Sequence, residues 1–174
     1  MITLILDSPS TTVEQALEII VARDNISLEG VQICDLSRFF YVPIDRFFRA
    51  YYRHILIDEL IRQEVPITVC GGGWDYVKET INPKNIKYLG PISFKSSFEY
   101  IADSKIVLNV MPLFKAGMHD RVLTTMINEA VCVTDYSKEF EGKFSSDSDI
   151  IVYDLNKIGE LPERLNSMLK NNDI

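Results

Sequence analysis

Short, unbroken apolar runs rich in Val and Ile constrain the fold of this sequence more than any other feature. Six of them predict strands, at residues 3–6, 67–70, 86–89, 106–110, 131–134 and 150–153. Because the runs are continuous rather than alternating in polarity, both faces of each strand are expected to be buried, as in a parallel sheet covered by helices. The pattern predicts an α/β fold with a doubly wound, mainly parallel, six-stranded sheet and helices on both faces.

Segments with helical spacing of apolar residues lie between these runs and after the last one. They predict helices at residues 13–23, 44–63, 74–81, 94–102, 119–129 and 158–169. The long second helix is expected to begin where Pro43 precedes Asp45, because proline is favoured at a helix start. No linker or repeat divides the chain, so its 174 residues are expected to form one domain with a frayed tail at residues 170–174. The first strand begins almost at once, which is typical of a domain excised from a longer protein.

Composition excludes several classes of protein. The net charge of −7 disfavours nonspecific nucleic-acid binding, which needs a surplus of Lys and Arg to neutralise phosphates. No apolar run approaches the roughly 20 residues that cross a bilayer, and the opening run lacks the basic flank of a signal peptide. A protein without a membrane span, located in the cytoplasm, is therefore expected. Cys34, Cys70 and Cys132 are expected to be reduced thiols in the core.

A run of glycines follows the second predicted strand. Gly71, Gly72 and Gly73 precede Trp74 at the carboxyl end of that strand, where α/β folds bind ligands. The run either lets a phosphate or sugar ring approach the main chain or simply makes a tight turn. Tyr76 stands where a dinucleotide-binding fingerprint needs glycine, and no Gly-Lys-Ser/Thr follows, so neither a nicotinamide enzyme nor an NTPase is predicted.

Basic and polar residues are concentrated where the fourth predicted strand leads into the next helix. His119 and Arg121 lie at the helix start, where the helix dipole disfavours cations unless an anion binds. Lys115 would add charge, Asp120 would cap the helix, and His119 would donate a hydrogen bond to a sugar or a leaving phosphate. The alternative is a surface His and Arg paired with nearby acids. Asp135, which ends the next strand, either holds a hydroxyl or caps a turn.

A second set of basic residues lies on the predicted long helix. Arg46, Arg49 and Arg53 recur at helical spacing on a face apart from the apolar stripe. They form either a solvated basic face or a shelf for an anionic ligand. Arg53, which precedes His54, is the candidate that we single out.

Three segments resemble the group 1 glycosyltransferase family that includes the CgeB-like spore-maturation proteins. They are ITVCGGGW at residues 67–74, IKYLGP at residues 86–91, and SKIVLNVMP at residues 104–112, which continues through GMHDRVL at residues 117–123 to VTD at residues 133–135. The resemblance covers about residues 46–169. Residues 1–45 are predicted to form only the first strand, a helix and an irregular lead-in.

The resemblance implies one half of a GT-B fold, namely the C-terminal, Rossmann-like domain that holds a nucleotide sugar. It implies sugar transfer from a nucleoside diphosphate sugar, without a metal or other cofactor, and inactivity unless an N-terminal acceptor-binding domain is present. Members of the family also have an arginine in a helix comparable to the one that carries Arg53, and the resemblance therefore implies a binding role for Arg53. The implied nucleotide- and diphosphate-binding residues are Gly71, Gly72, Gly73, Trp74, Leu89, Gly90, Lys115, Gly117, Arg121 and Arg53, and the implied catalytic candidates are His119 and Asp120.

The chain departs from the wider family in the last segment. Two glutamates common in retaining GT-B enzymes are replaced by Ala116 and Thr124, and Glu129 stands where relatives often have glycine. These departures keep a second hypothesis open, a noncatalytic Rossmann-like binding or assembly domain that has lost the sugar-nucleotide site. A receiver-type signalling domain is set aside because Asp7 stands without the other acids that such a site needs.

Overall fold

The computed structural model describes residues 1–75 and 84–170. Within them the helices are α1 (Ile2–Asp7), α2 (Val13–Arg23), α3 (Ile33–Arg62), α4 (Phe94–Ala102), α5 (Asp120–Ile127) and α6 (Leu161–Lys170). The strands are β1 (Ile67–Cys70), β2 (Ile86–Gly90), β3 (Ile106–Asn109), β4 (Val131–Asp135) and β5 (Ile151–Tyr153). Two short 3₁₀ helices, Lys138–Phe140 and Leu155–Glu160, follow β4 and β5.

All pairings between these strands are parallel. β1 pairs with β2, with Ile67 opposite Ile86. β3, β4 and β5 pair in that order, with Ile106 opposite Val131 and Val133 opposite Ile151. Over the described ranges no strand pairing joins the two groups. They nevertheless share one apolar core, so the fold is a helix-covered arrangement of parallel strands.

Helix α3 supplies much of that core. Phe48, Tyr52, Leu56 and Leu60 recur every four residues and are all buried. Residues at this spacing lie on one helix face, so the helix presents a continuous apolar stripe to the strands. The stripe fixes the rotation of α3, and therefore which way Arg49 and Arg53 face.

Capping side chains define two of the helix starts. Thr12 and Gln15 form a reciprocal capping box at α2, with Gln15 N–H donating to Thr12 Oγ1 at 3.2 Å and Thr12 N–H donating to Gln15 Oε1 at 2.9 Å. At α4 the Ser93 hydroxyl accepts from Ser96 N–H at 3.0 Å. The sequence predictions for both helices, residues 13–23 and 94–102, are confirmed at both ends.

The strand predictions from residue 67 onward are confirmed to within one residue at each end. The helix predicted at residues 119–129 is confirmed as Asp120–Ile127, and the one at 158–169 as Leu161–Lys170. The helix predicted at residues 74–81 lies largely outside the described residues.

The first predicted strand is wrong. Residues 3–6 belong to helix α1, in which Ile5 N–H donates to Met1 O at 3.2 Å and Ser8 N–H to Leu4 O at 3.1 Å. The described residues therefore contain five strands rather than six. A short apolar run carries no periodicity that separates a buried strand from a buried turn of helix, and here Ile5 packs into the core as part of a helix.

The predicted start of the long helix is also wrong, because α3 begins at Ile33 and passes through Pro43. A proline inside a helix removes one backbone hydrogen bond. Residues 38–43 are all exposed, and Phe39 is 78% exposed, so water can reach the backbone that Pro43 leaves unbonded.

The exposure of the cysteines and the length of the helices test two further expectations. Cys132 is buried and Cys70 partly buried, but Cys34 is exposed near the start of α3, so the expectation that all three are core thiols is wrong for Cys34. All three are free thiols. In the part of the chain that the structure describes, no helix is both long enough and apolar enough to cross a membrane.

Candidate anion-binding site

Helix α5 begins with a histidine cap. The His119 imidazole Nδ1 accepts the backbone N–H of Arg121 at 3.1 Å, which satisfies one of the unpaired amides at the helix start. Asp120 is the first helical residue, and its side chain is 79% exposed. The expectation that Asp120 caps the helix is therefore wrong, because the imidazole of His119 accepts the amide instead.

The protonation state of His119 follows from its surroundings. Its Nδ1 also lies 2.7 Å from Asp120 Oδ1, but one nitrogen cannot accept the amide proton and donate a proton to Asp120. Burial lowers the pKa of His119, Arg121 lowers it further, Asp120 opposes them, and Arg49 and Arg53 add smaller lowering effects. These effects favour the neutral ring, in which Nδ1 caps the helix and Nε2 carries the proton.

Arg121 is half-buried beside this cap. Its Nη1 donates to Asn109 Oδ1 at 3.0 Å. Burial lowers the pKa of Arg121 most, Asp120 and Cys132 raise it, and Arg49 lowers it. An arginine remains charged despite such effects, so Arg121 keeps a positive charge. Within the described ranges it forms an ion pair with no acid.

Arg53 extends from α3 toward the same place. Burial lowers its pKa most, followed by repulsion from Arg121 and then from Arg49, whereas Asp45 and Tyr153 raise it. Over residues 1–75 and 84–170, the Arg53 side chain forms no ion pair.

Arg49 completes this group, and among the described residues it is the one of the three arginines that is paired with an acid. Its Nε lies 2.8 Å from Asp45 Oδ2, but the two are not aligned for a hydrogen bond, so that buried Nε has no hydrogen-bond partner. Arg49, Arg53, His119 and Arg121 are called the basic cluster below. Three guanidinium groups with two neighbouring carboxylates, Asp45 and Asp120, create a positive potential that favours an anion.

Lys115, the other predicted cation, is directed elsewhere. Its ammonium lies 2.7 Å from Asp135 Oδ2, with the Lys115 side chain 10% and the Asp135 side chain 1% exposed. Asp135 Oδ1 accepts Met111 N–H at 2.7 Å, and Lys115 also donates to Tyr136 O at 3.1 Å. Asp135 thus holds the loop after β3, and the charge of Lys115 is neutralised by that carboxylate.

Gly117 lies in the same loop, and its size is dictated by packing. A Cβ at this position would come within 2.6 Å of the Phe114 ring. The Gly117 carbonyl accepts the Ser137 hydroxyl at 2.7 Å, which joins the loop to the segment after β4. The loop that leads into α5 is therefore attached at both Asp135 and Ser137.

The glycine turn and the end of β2 meet at one edge of the sheet. Gly71 N–H donates to Gly90 O at 2.8 Å, and the Tyr88 hydroxyl donates to Gly71 O at 3.1 Å. Gly71 and Gly73 have φ values of +113° and +84°, which favour glycine. Gly72 and Gly73 are exposed, so their backbone is open to a ligand, and Leu89 adjoins Gly90 at the same edge.

Trp74 connects this turn to α3. Its ring stacks on His54 with centroids 5.5 Å apart and planes 30° apart. His54 follows Arg53 directly along the helix, so α3 links the glycine turn with the basic cluster. The structure thus brings Gly71, Gly90 and Trp74 to one side of α3 and Arg53 to the side of Arg121.

Two members of the site were not singled out from the sequence. Arg49 was read only as part of a periodic basic face, and the fold separates it from Arg46, which is exposed. Asn109 ends β3 and is 2% exposed. Its signal in the sequence is a lone amide within an apolar run, which requires a buried hydrogen-bond partner.

A separate cleft of about 660 Å³ opens beside Lys115, at the carboxyl ends of β4 and β5. Asp7, Glu141 and Asp154 line it, whereas no member of the basic cluster does. These acidic walls disfavour a diphosphate, so the basic cluster is the better candidate for the anion site. For metals, the described ranges contain no group of three or more His, Cys, Asp or Glu side chains placed to hold an ion.

Comparisons with known proteins show the family and the fold to which the chain is similar. A family described as glycosyl transferase-like matches residues 49–174, which include the whole basic cluster. The solved structure of HepE from Anabaena, in complex with UDP-glucose, is similar with a TM-score of 0.51 and 18% sequence identity. The match covers 67% of this chain and 35% of HepE, so the chain spans about a third of that protein. No curated protein sequence matches the chain. The likeness confirms the predicted Rossmann-like fold, of the kind that forms half of a GT-B enzyme.

Proposed function

The chain belongs to the glycosyl transferase-like family, and on that premise we propose that it binds the diphosphate of a nucleotide sugar at the basic cluster. The sugar is then transferred to an acceptor held by an N-terminal domain, as in the CgeB-like branch that the sequence resembles. The observation that carries this proposal is the grouping of Arg53 and Arg121, both half-buried, without a paired acid in the described residues.

The chemistry of the cluster suits a diphosphate leaving group. A guanidinium presents several N–H donors in one plane, which matches the oxygens of a phosphate. As the bond from the sugar to the diphosphate breaks, negative charge develops on the leaving phosphate, and fixed cations stabilise it. The Nε2–H of neutral His119 is available as a further donor, and Asp120, exposed beside it, is proposed as the second catalytic group.

The remaining proposed contacts follow from the sheet edge that the glycines occupy. Gly72 and Gly73 expose backbone that a nucleotide can approach, and Trp74, Leu89 and Gly90 are proposed to line the same side. UDP-glucose is the first ligand to test, because HepE was solved with it. Lys115 and Gly117 are assigned to holding the loop that carries His119.

Charge-removing variants test this proposal directly. UDP-glucose is expected to raise the melting temperature of the wild-type chain, since a ligand that binds only the folded state stabilises it. Arg53→Gln and Arg121→Gln are each expected to weaken UDP-glucose affinity by roughly tenfold or more, because each removes a charged hydrogen-bond donor. Arg46→Gln is the matched control, since Arg46 is an exposed arginine of the same helix.

A panel that includes GDP-, ADP- and dTDP-sugars covers the other bases. If none of these compounds shifts the melting temperature of the folded chain, the proposal is wrong. That result would favour the noncatalytic binding or assembly domain.

A further inference from the structure

Asn109 lies at the centre of a buried set of hydrogen bonds behind Arg121. Its Oδ1 accepts Arg121 Nη1–H at 3.0 Å, and its Nδ2 donates to Thr134 Oγ1 at 2.9 Å. Its backbone carbonyl accepts the hydroxyl of buried Tyr153 at 3.0 Å. The end of β3 is thus tied to β4, β5 and α5 through one residue.

These bonds fix the orientation of the amide. Arginine only donates hydrogen bonds, so the atom that faces Arg121 must be the amide oxygen. On the other side, the Thr134 hydroxyl donates its proton to Asp135 O at 3.3 Å, which leaves its oxygen free to accept Nδ2–H. Arg121 therefore fixes the orientation of the amide, and the Thr134 hydroxyl, which can donate or accept, is compatible with it.

An amide differs from a carboxylate in what it does to Arg121. It holds one guanidinium nitrogen in place without cancelling the positive charge, and it leaves the other N–H donors of the fork unused by Asn109. Arg49, which lies 2.8 Å from the Asp45 carboxylate, shows the contrasting arrangement in the same cluster.

We propose that Asn109 is a positioning residue, which aims Arg121 at the anion while keeping the charge of its guanidinium available. The inference rests on the proposed function, because the anion is the diphosphate of the nucleotide sugar. It explains why a neutral amide, rather than an acid, stands against the buried side of a functional arginine.

Two variants of nearly the same size as asparagine separate the placement of the Arg121 guanidinium from its charge. Asn109→Leu removes the oxygen that holds Arg121, and Asn109→Asp replaces it with a carboxylate that neutralises the guanidinium. Both are expected to weaken UDP-glucose affinity by roughly tenfold or more, and Asn109→Asp is also expected to reduce the salt dependence of binding because one cation is cancelled.

Asn109→Leu in an Arg121→Gln background distinguishes positioning from general support of the fold. If Asn109 acts through Arg121, this variant does not weaken affinity further once Arg121 is absent. Asn109→Asp is not used in that background, because its buried carboxylate would be left unpaired and would repel the diphosphate. An equal loss of affinity in both backgrounds would overturn the inference. Thr134→Val is the alternative should the Asn109 variants fail to fold. It leaves Asn109 in place and removes the partner of Nδ2, together with the 3.3 Å bond to Asp135 O, and its effect on affinity must likewise vanish without Arg121.

A measurement without nucleotide separates this inference from the proposed function. Arginine side-chain NMR of the ligand-free protein is expected to show slower rotation of the Arg121 guanidinium in the wild type than in Asn109→Leu. Equal rotation in the two proteins would overturn the role of Asn109 alone. Failure of the wild type to bind any nucleotide sugar, with slow rotation retained, would instead overturn the proposed function and with it the anion that Arg121 is aimed at.

Discussion

The His119 imidazole caps α5 through Nδ1 and is kept neutral by burial and by the positive charge of Arg121. Arg49 and Arg53 act on its pKa in the same direction, and Asp120 opposes them. A bound diphosphate would bring negative charge to the other side of the ring. The pKa of His119 would then rise, and the proton would be taken up at Nδ1, which would donate to Asp120 Oδ1 instead of accepting Arg121 N–H. Nucleotide binding would thus be coupled to proton uptake.

We therefore expect UDP-glucose to bind more tightly as the pH falls from about 7.5 to about 6, with uptake of a proton by His119. Both phosphates of UDP-glucose stay ionised over this range, so the ligand does not contribute. Calorimetry in buffers of different ionisation enthalpy measures the uptake. His119→Asn keeps a side chain that can cap the helix but cannot titrate, and identical proton uptake in this variant would contradict the assignment.

At the residue scale, the sequence predicted the cations that the structure brings together but not their supports. His119 and Arg121 stood out because cations at a helix start conflict with the helix dipole, and that signal is local. Asn109 is held by Thr134 and Tyr153, which are 25 and 44 residues away in sequence. No local pattern predicts such contacts, because they depend on which strands lie side by side.

At the scale of elements, the loop between β3 and α5 depends on the buried Lys115–Asp135 pair. Both side chains are nearly inaccessible, and Asp135 also accepts Met111 N–H. Removing one member of a buried ion pair leaves the other charge uncompensated. The loop that carries His119 is therefore expected to be sensitive to either single substitution.

Asp135→Asn is expected to lower the free energy of unfolding by about 3–5 kcal/mol, because it leaves the Lys115 ammonium buried without its counter-charge. Denaturant unfolding measures this loss, and the double variant Lys115→Met/Asp135→Asn is expected to recover part of it. UDP-glucose affinity of the double variant should stay close to wild type. A loss comparable to that of Arg121→Gln would show that Lys115 contacts the anion after all, as the sequence had predicted.

Two elements show where sequence patterns stop being informative. The run at residues 3–6 is apolar enough for a strand, yet it lies in α1. Ile5 can be buried from a strand or from a helix, so the apolar run alone does not decide between them. Pro43 has the signature of a helix start but lies inside α3, where the exposed turn around it tolerates a lost hydrogen bond. In contrast, β1 to β5 were predicted closely because strands buried on both faces leave continuous Val- and Ile-rich runs.

At the scale of the whole molecule, α3 is the element that joins the parts of the candidate site. Its apolar stripe packs on the core, Arg49 and Arg53 approach the start of α5, and His54 stacks on Trp74 after the glycine turn. The chain spans about a third of HepE. A single domain over residues 1–174 stays a prediction.

A crystal structure of the chain with UDP-glucose tests the central claim most directly. The account predicts diphosphate oxygens within hydrogen-bonding distance of the Arg53 and Arg121 guanidinium groups, with the His119 Nε2–H directed at the same ligand. A nucleotide bound away from these residues, for example in the acidic cleft beside Lys115 and Asp154, would contradict it.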